Sequence, residues 1–295
     1  MTTIHTRAVR TGGLPTSDVT PRRSRQSRQF GLKSVLIALA AVSLAPYLFM
    51  VVTSLKTNQQ FADSFWQISF PLHFENYAVA WNQIQPYLFN TAIVAVISIV
   101  LILLIASISG FVLARYRFAG RGLIYGAVLV LMMVPGLANL IPLFIIMKDL
   151  GLLNTYLVLV VPYTVGGSVL GTILIRNFVE GIPQTLFDAA RLDGANGVRM
   201  YRSVMLPLSL PVLGTISLIT VSEVWNDFFW PLLVISDNNL RTVSVGLQFF
   251  QGQNATDYGP LMAGYLIASF PLVLLFTFLS KYFLAGVQGG VPGAH

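Results

Sequence analysis

Six apolar runs constrain this chain more than anything else in it. They cover 33–55, 88–113, 122–147, 154–175, 209–235 and 260–283, and each can cross a hydrocarbon core of ~30 Å, for which a helix needs about 20 residues. In hydrocarbon no water is present to bond a free N–H or C=O, so continuous runs of this length fold as helices that satisfy their own backbone. The predicted fold class is all-α: a polytopic membrane protein with six transmembrane helices and both termini cytoplasmic. A basic tail over 1–32, read as disordered and cytoplasmic, precedes the six-helix domain at 33–286, and a short tail over 287–295 comes after it.

Basic residues orient the runs. Placing both termini inside leaves 15 of the 18 Lys and Arg on the cytoplasmic side, with only Lys56, Lys148 and Arg241 outside, as the positive-inside rule requires. The net charge of +7 is thereby explained as a topology signal and an attraction to anionic headgroups of the lipid bilayer, with no nucleic acid implied. Arg22 and Arg23 superficially resemble the start of a secretion signal. The apolar run behind them is too long for a cleavable h-region, and no small-residue cleavage site comes after it.

Charged residues make up 10% of the chain, against roughly 25% in an average globular protein, which argues against a soluble enzyme. There is no cysteine, and the three histidines, His5, His73 and His295, are scattered outside the runs. No disulfide, metal centre or other cofactor is expected, and no catalytic constellation is present.

Apart from Lys33 and Lys281 at the edges, the only charged residues inside the runs are Glu223 and Asp227, in the fifth. With Asn226 they form one stripe at i, i+3 and i+4. A lipid-facing carboxylate there costs about 2.5 to 3.5 kcal/mol on insertion scales. The stripe therefore faces either a hydrated path for a solute or a neighbouring helix to which it hydrogen-bonds. Trp225, Phe228, Phe229 and Trp230 flank it; sugar rings stack on such groups, but an interfacial aromatic belt is the commoner reason for them. Pro135, Gly136 and Pro142 in the third run, Pro162, Gly166, Gly167 and Gly171 in the fourth and Pro271 in the sixth predict broken or closely packed helices.

The one long cytoplasmic loop, 176–207, reads as two short helices. Pro183 suits a first helical turn, Gly194 after Asp193 stops the first helix, Asn196 can cap the second, and Pro207 ends it. Leu186, Phe187, Ala189 and Ala190 leave apolar surface on a segment too short for a core of its own. Either a partner protein covers them or the helix lies on the lipid.

This loop resembles the EAA motif of binding-protein-dependent ABC transporter permeases: Asp188-Ala189-Ala190, three residues, Gly194, nine residues, then Val204-Met205-Leu206-Pro207. Asp188 and Val204 stand where the motif has Glu and Ile. Over 54–286 the chain is similar to the second permease subunit of maltose-type carbohydrate importers, with Glu75-Asn76-Tyr77, Leu113-Ala114-Arg115-Tyr116-Arg117-Phe118, Leu150-Gly151-Leu152-Leu153-Asn154-Thr155 and Trp225-Asn226-Asp227 as softer matches. The resemblance implies a non-enzymatic subunit of an ATP-driven sugar importer in a bacterial or archaeal plasma membrane. Its implied partners are a second six-span permease, two cytoplasmic ATP-binding subunits and an external solute-binding protein. It implies ATPase coupling through Asp188, Ala189, Ala190, Asp193, Gly194 and Pro207. The chain carries no G-x-x-x-x-G-K-[ST] loop of its own. Glu223, Trp225, Asn226 and Asp227 are the candidate solute path. The rival reading is a self-contained secondary transporter coupled to ions through Glu223 and Asp227.

Overall fold

The computed structural model describes residues 23–254 and 257–288, with side chains from Leu32 except Leu279 and those beyond Ser280. Of the tail expected to be disordered over 1–32, residues 1–22 lie outside the described residues, as does the C-terminal tail from 289, while 23–32 are the first turns of a helix. Every regular element among the described residues is helical. It comprises α1 (Arg23–Ser54), α2 (Asn58–Asp63), α3 (Glu75–Arg115), α4 (Arg121–Met132), α5 (Leu140–Asp149), α6 (Leu157–Gly181), α7 (Gln184–Leu192), α8 (Gly197–Met200), α9 (Leu206–Leu208), α10 (Leu210–Asn226), α11 (Phe229–Val234), α12 (Val243–Gln253) and α13 (Tyr258–Gln288). Contacts divide the chain at Leu48 into two units. The first is the larger part of α1, a helix that starts at Arg23, ahead of the apolar run, and leaves Ile37 and Val42 exposed. The second unit, from Phe49 onward, holds helices α2 to α13.

Four helices are long and apolar enough to cross a membrane: Leu32–Ser54, Glu75–Arg115, Leu157–Gly181 and Tyr258–Phe278. Two helix pairs reach that length only when taken together across a bend, the second of them partly within the loop 176–207. Arg121–Met132 meets Gly136–Asp149 at 89°, and Gly197–Leu208 meets Leu210–Asn226 at 72°. Both breaks arise at proline. Pro135 takes an extended conformation with ψ 125° before a 3-10 turn at Gly136–Asn139, and Pro207 and Pro211 flank the second bend, removing two amide donors around Ser209. The fifth run, expected to be continuous over 209–235, also breaks at Asp227, whose ψ of 119° separates α10 from α11.

Helix α3 has 41 residues, or ~62 Å at 1.5 Å per residue, so the expected run 88–113 is only its second part. Its first turns hold the connection after α1: Asn76 Nδ2 donates to the carbonyls of Ser54 at 2.9 Å and Lys56 at 3.0 Å. Lys56 itself is buried, and its Nζ donates to Ser64 O at 2.6 Å and Phe65 O at 3.2 Å. Burial pulls its pKa down from the usual lysine value.

The helix directions can be read from which residues meet. Asn90 meets Tyr156, Ile102 meets Gly167, Ala106 meets Gly171 and Arg115 meets Val179, a nearly constant offset, so α3 and α6 run parallel. Trp225 meets Ala268 while Leu218, two turns earlier, shares a crevice with Leu275 and Phe276, so α13 runs antiparallel to α10; Asn76 against Gly259 brings the starts of α3 and α13 together. The pairs Tyr163 with Asp227 and Gly171 with Ile216 set α10 antiparallel to α6. Close approach depends on glycine: a Cβ at Gly167 would lie 2.4 Å from Ile102 Cδ1, and one at Gly171 2.8 Å from Ala106 Cβ. Small residues at such a seam let two helices gain dispersion contacts in lipid, where the hydrophobic effect gives them none.

Candidate functional site

Two groups of residues carry the chemistry expected of this chain. The first is the loop. Helix α6 runs on to Gly181, so the loop proper starts later than 176, and Pro183 sits just before α7, in its N-cap position. Helix α7 ends in a hydrogen-bonded reversal: Ala195 N–H donates to Ala190 O at 2.9 Å and Gly194 N–H to Arg191 O at 3.0 Å. This Schellman pattern needs a left-handed residue, and Gly194 supplies it with φ of 77°. Asn196 then caps α8, its Oδ1 accepting from Arg199 N–H at 2.9 Å.

Two expectations about the loop are corrected. Pro207 does not end the second helix. The backbone widens into a π turn over Tyr201–Met205, with Leu206 N–H donating to Tyr201 O, and Pro207 falls in the first turn of α9, where its missing N–H costs nothing. The bend comes at Ser209. The loop also has a core: Phe187 is 1% exposed and packs with Met200 and Met205 on Phe111, Ile175, Val179 and Val212 at the ends of α3, α6 and α10. The Arg115 guanidinium lies 4.2 Å over its ring. Arg115 also donates to Val179 O, to Ile182 O at 2.5 Å and to Gln184 Oε1 at 2.7 Å, tying the last carbonyls of α6 to the first turn of α7.

What α7 leaves outward is a different apolar set. Leu192 is 90% exposed and Leu186 46%, and Val198 on the neighbouring α8 is 61% exposed. Asp188, Ala189 and Asp193 are also exposed, Ala190 is half-buried, and Pro207 is exposed. Asp188 accepts from Gln184 Nε2 at 3.0 Å and pairs with Arg191 at 3.2 Å; both charges are half in solvent, so the pair contributes about 0 to 1 kcal/mol.

The second group is the stripe on α10, and the structure separates its members. Asp227 is fully engaged: Oδ2 accepts from Tyr163 OH at 2.7 Å, Oδ1 from Trp230 N–H at 3.3 Å, and its carbonyl from Ser244. It both caps α11 and joins α10 to α6. Trp225 is buried on the α13 side, its indole N–H donating to Ala268 O at 3.2 Å. Trp230 is likewise buried, donating to Val158 O at 2.9 Å. These two tryptophans are core residues, neither an interfacial belt nor a stacking surface; of the aromatic group only Phe229 is largely exposed. Glu223 and Asn226 share the open face. Asn226 Nδ2 donates to Ser222 O at 2.7 Å, and among the described residues no hydrogen bond or ion pair engages the Glu223 carboxylate. Below Glu223, a narrow crevice between α6 and α10 is lined by Gly167, Gly171, Ile219 and Thr220. Tyr163, which orders the stripe, was not anticipated from sequence.

With this geometry in view, comparison with known proteins decides the family. Residues 106–289 match the model of the binding-protein-dependent transport system inner membrane component. The chain belongs to that family. Membership makes it the permease of an ABC importer that works with a solute-binding protein, an integral membrane subunit and not an enzyme. The permease is 34% identical to a probable ABC transporter permease protein of Bacillus subtilis, with 87% of this chain and 86% of the relative covered. It is 30% identical to the arabinooligosaccharides transport system permease protein AraQ of the same organism, over 91% and 99% of the two chains. It is also 30% identical to the trehalose/maltose transport system permease protein MalG of Thermococcus litoralis, over 89% and 98%. Its fold is shared with a chain of a bacterial ABC transporter involved in the import of the acidic polysaccharide alginate, at a TM-score of 0.77 and 24% identity over 90% and 100%. The ion-coupled alternative built on Glu223 and Asp227 finds no support among these relatives.

Proposed function

We propose that this permease carries a sugar or oligosaccharide across a bacterial or archaeal plasma membrane as one half of a heterodimer with a second six-span permease. Two cytoplasmic ATPase subunits drive the pair, and both termini of this chain are cytoplasmic. The bent pair Arg121–Met132 with Gly136–Asp149, and α10 continued by α11, complete six spans. Supporting this, α3, α6 and α13 run in one direction and α10 in the other, so the basic Arg115–Arg121 turn, the loop and the end of α13 share a side, as the charge count requires.

The observation that carries the proposal is the build of α7. A short helix is pinned by Arg115 and Phe187 to the ends of three long helices, closed by Gly194, and tipped by an exposed Leu192 that nothing among the described residues covers. Asp188, Ala189, Ala190, Asp193 and Gly194 present it, and Pro207 carries the chain from it into α10. A partner that grips α7 can therefore push on α3, α6 and α10 together. Glu223 and Asn226 line the solute path, with Asp227 holding α10 and α6 in place beside it. Trp225 shapes the path only from behind, through α13.

Gly194→Leu tests the coupling. At φ 77° a side chain meets no neighbour within 4 Å but is strained, by roughly 1 to 2 kcal/mol. The variant is expected to insert normally while solute-stimulated ATPase activity of the reconstituted complex falls at least about tenfold. Wild-type stimulation would remove the loop from the coupling route.

A further inference from the structure

The polar face of α10 holds a free carboxylate and no cation. Glu223 offers two carboxylate oxygens with no internal partner among the described residues, and Asn226 offers Oδ1 while one amide N–H is spent on Ser222 O. The neighbouring aromatic donors are consumed within the protein, Tyr163 OH by Asp227, Trp225 Nε1 by Ala268 O and Trp230 Nε1 by Val158 O, so the donors left beside Glu223 are neutral ones, the Thr220 and Ser222 hydroxyls and the second amide N–H of Asn226. No Lys, Arg or His lies within 157–175 or 210–226 to offset Glu223, and the engaged Asp227 adds a second negative charge one turn on. The crevice beneath Glu223 is walled by glycine, leucine, isoleucine and threonine, so no cation faces it from α6 either.

From this inventory we infer that Glu223 is a charge filter: the permease passes saccharides that carry hydroxyl donors and no carboxylate, and rejects acidic sugars. Hydroxyl groups can donate to Glu223 and Asn226 as they lose water, whereas a uronate brings a like charge and finds no cation to offset it. The inference rests on the reading that this face lines the solute path, and it sets the solute apart from the acidic polysaccharide named for the alginate transporter.

Because the chain has no cysteine, a single introduced thiol can report the local potential without knowing the solute. In the assembled complex, Asn226→Cys is labelled with two methanethiosulfonates of similar size, the cationic trimethylammonium-ethyl reagent and the anionic sulfonato-ethyl reagent. Rates are read by mass spectrometry on this chain's own peptide. Any shift of the thiol's own acidity cancels in the ratio of the two rates. The cation-to-anion ratio is expected to exceed that of a free thiol by about tenfold or more, and to collapse towards the free value when Glu223→Gln is added. A ratio indifferent to Glu223→Gln overturns the filter while leaving the path reading intact. No labelling by either reagent overturns the path reading itself, and the filter with it. Ile219→Cys, one turn before Glu223 on the same crevice, carries the same readout where Asn226→Cys does not assemble.

Discussion

At the scale of single residues, the two carboxylates of α10 separate into a structural group and a free one. Asp227 needs Tyr163: deleting the phenol oxygen leaves a half-buried acceptor short of a partner at about 1 to 3 kcal/mol. Tyr163→Phe should therefore lower the thermal midpoint of the detergent-solubilised complex and its abundance in membranes. Glu223→Gln removes no internal contact and should leave both unchanged while altering the transport rate. Equal stability of Tyr163→Phe and wild type would break this division. The pairing was not legible in sequence because it joins groups 64 positions apart, and stripe spacing alone cannot say which carboxylate finds a helix and which faces a cavity. A buried tyrosine hydroxyl generally requires a partner, so Tyr163 inside an apolar run was the available signal. Trp225 and Trp230 misled for a related reason. Tryptophan near a span's end suits an interface, and only tertiary contacts reveal that both indole N–H groups end on backbone carbonyls.

Among elements, local chemistry read well and long-range consequences did not. The reversal at Gly194 and the cap at Asn196 depend on the residues beside them, and both were visible in the loop's own sequence. The angles at Pro135 and Ser209 were not, since a proline permits a break but surrounding packing sets how far the chain turns. Nor was the loop's core, because Phe187 is buried by Phe111, Val179 and Val212, which come from three other helices. The α3–α6 seam gives an element-scale prediction. Gly167→Ala places a methyl 2.4 Å from Ile102 Cδ1 and should destabilise the pair by about 1 to 3 kcal/mol through overpacking. Ile102→Val removes that Cδ1 atom, so the double variant should recover most of the lost folded subunit. Measured as a double-mutant cycle on membrane abundance and thermal midpoint, simple additivity would show that the two residues do not meet.

For the whole molecule, topology and coupling are one claim, because the ends of α3 and α6 and the start of α10 must gather on the side where ATP is hydrolysed. Gln184→Cys, at the start of α7, should react with an impermeant maleimide only after the cytoplasmic face is opened. Reaction in intact cells would reverse the orientation. The central claim, that α7 transmits force from an ATPase through its exposed tip, is tested most directly at Leu192. Its side chain is 90% exposed, so Leu192→Asp leaves this chain's core untouched but puts a charge where an apolar pocket on a partner would close. The measurement is ATP hydrolysis by the reconstituted complex, stimulated by solute-loaded binding protein, with membrane insertion of the variant checked in parallel. Stimulation should fall at least about tenfold at normal insertion, and stimulation equal to wild type would contradict the account.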